Sequence, residues 1–419
     1  MERKQKPLEG ITVVELAMFV AAPSAARMLA DWGATVIKIE SPKGDPMRFM
    51  GKLVSMPIDD ERENPAYDQQ NSGKKGIVLN LKSEKGREVM HRLLEKADVF
   101  ITNSVDHMDA LKRMGLSYEQ LSGRYPSLVY GQVSGYGETG PDKDKPGYDF
   151  TAYYARGGIS GTLYEKGTSP LLTVAGFGDT QVGLCLASGV CAALVKAKQT
   201  GQGEKVSVSL YQTAVFCMEH LIASAQYGNN PYPRSRMDLA NPLQNAYETK
   251  DGRWLQGAVN DFDNRIREVL HLIGRDDLAE NEEFCHFERI STHSRDLIVE
   301  LDKTFREKNI DEWLEIFTAA DLPFDKEAVW EEILTDPQAW AENILCHVGG
   351  YPEREDMGTD RILVRTPVKF REAGLCEYRK GPKIGEHTEE VLKELGYSRN
   401  EIDCMEAEQA VKAYAGPDI

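Results

Sequence analysis

ITVVELAMFVAAPSAARMLADWGATVIKIE, residues 11–40, is the stretch whose reading decides the fold. ITVVEL (11–16) is a short run of β-formers. The loop MFVAAP follows, then a helical pattern, SAARMLADWG, that stops at Gly33. ATVIKIE (34–40) reads as a second strand. Strand, helix and strand within roughly thirty residues make a βαβ unit, which requires parallel strands and a right-handed crossover.

The scheme recurs downstream. GIVLNL (76–81), a helix over 83–96 and DVFITN (98–103) repeat it, followed by a helix around Met108–Met114 and a strand in SLVYGQVSGYG (127–137). This alternation predicts an α/β fold with an open, mostly parallel sheet and helices on both faces. A long helix of small residues is predicted from about Thr180 to Lys198, stopped by the glycines of TGQGEK. EKVSVSL (204–210) reads as a strand and 211–226 as helix, before the Pro/Asn-rich break YGNNPYPRSR. Beyond it the composition shifts to a hairpin in ETKDGRWLQGAV, with an Asp-Gly turn, and then to acidic amphipathic helices. The expected organisation is a large domain over 1–225, a smaller α+β domain over 226–328, and a segment, 329–419, returning to the large domain.

Composition narrows the function. The net charge of −17 argues against nucleic acid as a partner, because phosphate binding needs a free basic patch. The chain carries no run of about 18 apolar residues and no signal-like start, so neither membrane nor secretion is expected. The seven cysteines show no C-x-x-C pair. Cys185, Cys191 and Cys217 lie in apolar helical context and read as buried, inert thiols. A reducing cytoplasm fits, and no metal site is indicated.

Three segments invite chemistry. The first βαβ turn lacks the glycines of a dinucleotide fingerprint, since Ala21, Ala22 and Pro23 stand where close approach to a pyrophosphate would need them. SGYGETGP (134–141) is either a plain turn or a backbone that lets a ligand come close, with Tyr136 and Glu138 projecting. GFGDTQVG (176–183) places Asp179 at a helix start, where an aspartate caps the helix or, held ionised by the first-turn N–H dipoles, serves as a nucleophile. Local sequence leaves both readings open. Lys38, Lys82, Arg113 and Lys143 read individually as solvated surface groups that could serve phosphates. No Gly-x-Ser-x-Gly elbow accompanies any of the eight histidines, which removes the serine-hydrolase reading.

Taken together, PLEGITVVEL, VAAPSAARMLADWGATVIKIESPKGDPMR, NSGKKGIVLNLKSEKG, GYGETGPDKDKPGYDFTAYYARGG, GFGDTQVGLCLASGV, KAKQTGQGEKVSVSL and IGEHTEEVLKELGY resemble the class III CoA-transferases of formyl-CoA and carnitine CoA-transferase type. GYDFTAYYARGG, GTLYEKGTSP, ADLPF and DPQAWAEN are most similar to the members acting on (R)-2-hydroxy acids in amino-acid fermentation by anaerobes, of phenyllactate or 2-hydroxyisocaproate type. The resemblance implies a Rossmann-like, doubly wound large domain built from both chain ends, a smaller inserted domain, and an interlocked homodimer. It implies no permanently bound cofactor, with coenzyme A and acyl-CoA as substrate, a small carboxylic acid as partner substrate, and a functional link to a 2-hydroxyacyl-CoA dehydratase. Asp179 falls on the family's nucleophile, which forms aspartyl anhydride and aspartyl-CoA thioester intermediates. The CoA-contacting positions fall on Val20, Ala21, Leu79, Asn80, Leu81, Lys82, Asn103 and Arg113, with Tyr136 and Glu138 beside the thioester.

Departures are also visible. Ser41 and Ser134 replace basic residues of formyl-CoA transferases, and the glycine-only loop of the oxalate enzyme is absent from Tyr227–Gln244. An oxalate or formate substrate is therefore disfavoured. The superfamily's alternatives are a racemase and a bile-acid or carnitine-type transferase. The racemase histidine would fall on Tyr148, whose phenol is a poor base at neutral pH.

Overall fold

The computed structural model describes residues 5–51, 63–104, 109–228, 232–414 and 416. The start of the helix expected at Met108, and residues 229–231 of the Tyr227–Gln244 segment, lie outside them. The chain divides into two compact units. One comprises Met1–Ile159, Leu172–Ala223 and Pro337–Ile419, the other Ser160–Leu171 and Ser224–Asp336.

The first unit is built on six parallel strands: β1 (Thr12–Leu16), β2 (Thr35–Glu40), β3 (Lys75–Leu79), β4 (Val99–Thr102), β5 (Val129–Ser134) and β6 (Lys205–Ser209). They lie in the order β3-β2-β1-β4-β5-β6, and a short antiparallel strand, Val411–Lys412, extends the sheet beyond β3. Val13 on β1 registers with Val36 on one side and Val99 on the other. Strand order reverses between β1 and β4, so their carboxyl ends open a crevice at the place where doubly wound sheets bind ligands.

The helices before the insertion are α1 (Ala21–Asp31), α2 (Pro65–Asn71), α3 (Glu84–Lys96), α4 (Ala110–Met114), α5 (Tyr118–Arg124), α6 (Phe177–Thr200), α7 (Leu210–Cys217) and α8 (Glu219–Ala225). One face of the sheet buries α1, α6 and α7 around Val13, Leu29, Val99, Leu186 and Ala214. The other face buries Val89, Met90 and Leu93 of α3 with Val391, Leu392, Ile402 and Met405 from two helices of the returning tail. With both faces covered, β3, β4 and β5 carry almost no exposed position.

α1 starts at Ala21, three residues before the expected start, because Pro23 in a first turn gives up no intrahelical bond. Small residues let α1 and α6 approach closely: a Cβ on Gly183 would fall 1.9 Å from Ser24 Oγ. By length and composition α6 is apolar enough to cross a membrane, and the face formed by Val182, Leu186 and Val190 lies in the core. The thiols differ from expectation. Cys185 and Cys191 are half-buried and Cys217 is exposed, since the apolar helices that carry them cover the sheet with one face only.

Lys38 is a correction too. It is fully buried, paired with Glu15 at 3.0 Å and Asp45 at 2.9 Å, and donates to the Ala17 carbonyl at 3.0 Å. Lys74 joins the cluster through Glu15 at 2.6 Å. Burial pushes the Lys74 ammonium down to about 8, whereas three surrounding carboxylates push Lys38 up.

The second unit has its own core around Tyr247, Leu255, Ile266, Leu301, Trp313 and Phe317. Its three-stranded antiparallel sheet pairs Ala246–Glu248 with Trp254–Gly257, and that strand with Phe324–Lys326. Gly252, at φ 73°, turns the expected hairpin within a loop longer than an Asp-Gly pair alone.

Candidate active site

The crevice is built from the loops that follow β1 and β4. Asn103, just beyond β4, donates its amide to the Met18 carbonyl at 2.7 Å and accepts the Met18 N–H at 3.3 Å. Phe19 adopts a left-handed φ of 65°, and its N–H donates to Asp45 Oδ1 at 3.2 Å. Such strain in a non-glycine residue persists only where the surroundings over-determine it. Asp45 and the Lys38–Ala17 bond below supply that constraint.

The close packing of α1 and α6 brings Val20 beside the start of α6, within 3.7 Å of where a Gly176 Cβ would stand. α6 begins at Phe177 with Gly176 as its N-cap, so Asp179 is the third helical residue rather than the cap. The cap comes from elsewhere. Asp149 accepts the N–H of Gly176 at 2.8 Å and that of Gly178 at 3.1 Å. It opens a π-helical segment, Asp149–Ala155, and a Cβ on Gly178 would collide with its Oδ1 at 2.4 Å and with the Tyr153 ring at 2.3 Å. Gly178 is thus glycine because the aspartate and the aromatic ring press against the helix start.

With the first-turn donors occupied, Asp179 keeps its carboxylate free. Among the described residues it makes no side-chain hydrogen bond or ion pair. The side chain is half-buried, and burial together with the negative charge of Asp149 pushes its carboxyl up to about 7. Burial likewise raises Asp149, to about 6, against the N–H groups that favour its ionised form. This differs from the expectation that the helix dipole holds Asp179 ionised: the dipole's donors point to Asp149.

Tyr153 donates to Gln181 Oε1 at 2.7 Å, and the Cys217 thiol donates to the same oxygen at 3.2 Å. Tyr148, which precedes Asp149, is 64% exposed.

The other predicted positions follow the carboxyl ends of β1, β3 and β5, except Arg113, which is on α4. Ala21 is buried at the start of α1 and Val20 half-buried before it. Leu79 at the end of β3 is a core side chain, leaving only backbone for a ligand, while Asn80 and Leu81 are half-buried and Lys82 is exposed. Arg113 is exposed on α4. Tyr136, in the turn after β5, packs against Tyr211 with the rings tilted and their centroids 6.3 Å apart, and Glu138 pairs with Lys205 at 2.5 Å. That turn is fixed by close backbone crossing, for a Cβ on Gly135 would lie 2.7 Å from Gly147 Cα. Ser134 is buried and accepts the Gly137 N–H at 3.1 Å, and Ser41 accepts the Lys43 N–H at 3.3 Å.

Asp149 was not singled out by sequence reasoning. Its signal was the acid of PGYDF, twenty-odd residues ahead of a glycine-flanked helix start, and only the fold brings the two together. Among the described residues no group of three or more His, Cys, Asp or Glu side chains could hold a metal ion.

The crevice of the doubly wound sheet thus holds, in Asp179, a carboxylate with no side-chain partner among the described residues. Residues 8–388 match the model of CoA-transferase family III, and the chain belongs to that family. It is 45% identical over 405 residues to a (R)-2-hydroxy-4-methylpentanoate CoA-transferase of Clostridioides difficile, covering 97% of this chain and 99% of that one. It is equally 45% identical over 414 residues to a cinnamoyl-CoA:phenyllactate CoA-transferase of Clostridium sporogenes, with 98% of each covered. A crystal structure of a CAIB/BAIF family protein from Brucella suis superposes with a TM-score of 0.79 at 28% identity, covering 93% of this chain and all of that one.

Proposed function

We propose that this CoA-transferase moves CoA from an acyl-CoA of enoyl or cinnamoyl type to a free (R)-2-hydroxy acid such as 2-hydroxyisocaproate or phenyllactate, with Asp179 as nucleophile. The observation that carries the chemistry is the Asp179 carboxylate, free of partners in the first turn of α6 and beside the β1 loop. The names of the two relatives at 45% identity support the substrate class.

An Asp179 oxygen attacks the thioester carbonyl; the C–S bond breaks, CoA leaves as thiolate, and a mixed anhydride forms. The thiolate attacks the aspartyl Cγ, the anhydride C–O bond breaks, and the donor acid leaves as carboxylate. The acceptor carboxylate then attacks the aspartyl-CoA carbonyl, the C–S bond breaks to give CoA thiolate and a second mixed anhydride, and thiolate attack on the acceptor's acyl carbon breaks the anhydride C–O bond, releasing the new acyl-CoA and restoring the aspartate. Each step exchanges one acyl bond for another of similar energy, so no proton or water is consumed. Backbone N–H groups at Gly135 and Tyr136, in the turn after β5, would stabilise each oxyanion. Val20, Ala21, Leu79–Lys82, Asn103 and Arg113 would hold CoA along the sheet edge, Leu79 through its backbone.

The protein would act as a homodimer in the cytoplasm. Exposed Val195, Phe216 and Ile222 on α6, α7 and α8 support a covering partner. A 2-hydroxyacyl-CoA dehydratase would consume the product. The test is a panel of acyl-CoA donors against 2-hydroxyisocaproate, phenyllactate, indolelactate and lactate. Transfer to none of them would overturn the reading.

A further inference from the structure

The role of the second carboxylate follows from geometry. A helix start offers several N–H donors, and an aspartate in the first turn ordinarily accepts one of them. Hydrogen bonds to a carboxylate occupy the lone pairs it would use for attack and lower its basicity. At the start of α6, the Gly176 and Gly178 donors are both taken by one residue from another segment, Asp149. Gly178 has no side chain to hold that residue off, and Tyr153 packs beside it.

We propose that Asp149 is the positioning residue of the transfer site: by capping α6 from outside, it keeps the first-turn donors away from Asp179 and leaves the Asp179 oxygens free to bond to carbon. The inference rests on Asp179 being the nucleophile. A cap supplied from outside frees the in-helix aspartate, whereas an in-helix cap would consume it. The charge of Asp149 acts in the same direction, since it raises the basicity of its neighbour. The other titratable groups facing Asp149 are Tyr153 and Tyr154, both pushed up by burial, with the Cys217 thiol beyond Tyr153. Both phenols are neutral where the carboxylates titrate, so the carboxylate pair sets the acid side of a pH profile.

The experiment compares wild type, Asp149→Asn and Asp149→Ala after incubation with acyl-CoA and quenching with hydroxylamine, with mass spectrometry locating the adduct. The pH dependence of kcat/KM is followed in parallel, and circular dichroism establishes folding. Wild type is expected to carry the adduct on Asp179. Asp149→Asn is expected to lose about tenfold to a hundredfold in kcat, with the KM for acyl-CoA little changed. Its acid limb should move to lower pH by roughly one unit, as a like charge is removed. Asp149→Ala, folded, should trap less adduct still, because Asp179 turns to the vacated donors. An adduct in wild type together with an unmoved acid limb in Asp149→Asn, or wild-type trapping in Asp149→Ala, overturns the positioning role alone. No adduct on Asp179 in wild type overturns the nucleophile reading and this inference with it.

Discussion

Asn103 and Met18 hold each other by two hydrogen bonds across the point where strand order reverses, at 2.7 Å and 3.3 Å. The amide of Asn103 is therefore engaged with the β1 loop and reaches a ligand only through that loop. Asn103→Ala should loosen Met18–Val20, raising the KM for acyl-CoA severalfold and costing about 1 kcal/mol of stability. Steady-state kinetics and urea unfolding measure both. An unchanged KM would show that the clasp does not order the loop.

Asp179 gives a prediction about rate and pH. Attack requires the carboxylate, so kcat/KM should rise with pH through about 7 and level off above it. Asp179→Asn or Asp179→Ala should abolish transfer while CoA still binds, as read by calorimetry. Near-normal turnover in either variant would remove Asp179 from the chemistry.

The same shift predicts stability. A carboxyl raised from its ordinary value to about 7 in the folded chain favours the protonated form. Its contribution is complete below about pH 4 and is lost as pH rises through about 7. Asp179→Asn should accordingly melt a few degrees higher than wild type at pH 8 and at the same temperature at pH 4. A gain that is uniform across pH would point to a cause other than ionisation.

Gly178→Ala tests the fit between the two segments. Its Cβ would stand 2.3 Å from the Tyr153 ring and 2.4 Å from Asp149 Oδ1, too close for a rotamer change to relieve. Activity should fall at least tenfold with a clear loss of thermal stability, about 1–3 kcal/mol as in other overpacked sites. Unfolding curves and kcat together decide it.

Lys38→Met should be the most destabilising of these changes. It leaves Glu15 and Asp45 buried without their shared cation, a loss of about 3–5 kcal/mol. Since Lys38 also ties down the Ala17 carbonyl, any folded fraction should bind acyl-CoA weakly. Chemical unfolding measures the first effect and ligand titration the second.

The βαβ unit was legible because β-rich runs and a glycine stop bracket a helix in one continuous segment, and the strands formed where Thr12–Leu16 and Thr35–Glu40 indicated. The register of β1 against both β2 and β4 carried the family resemblance into three dimensions. What stayed hidden depended on distant partners. Lys38 reads in sequence as a solvated surface lysine, yet its sheet is covered on both faces and its carboxylates come from Glu15 and Asp45. Asp179 looked like its own cap because the true cap lies in PGYDF. Cys217 looked buried because an apolar helix was read without knowing which face meets the sheet.

The strand Val411–Lys412 pairs with β3, which is made more than three hundred residues earlier. Until it arrives, β3 presents an open row of backbone donors and acceptors, the kind of edge that recruits strands from other chains. A nascent chain halted on the ribosome before this strand emerges would thus expose the sheet for the whole time the second unit is being made. Chaperone engagement should concentrate in that interval, and emergence of the returning helices and this strand should end it.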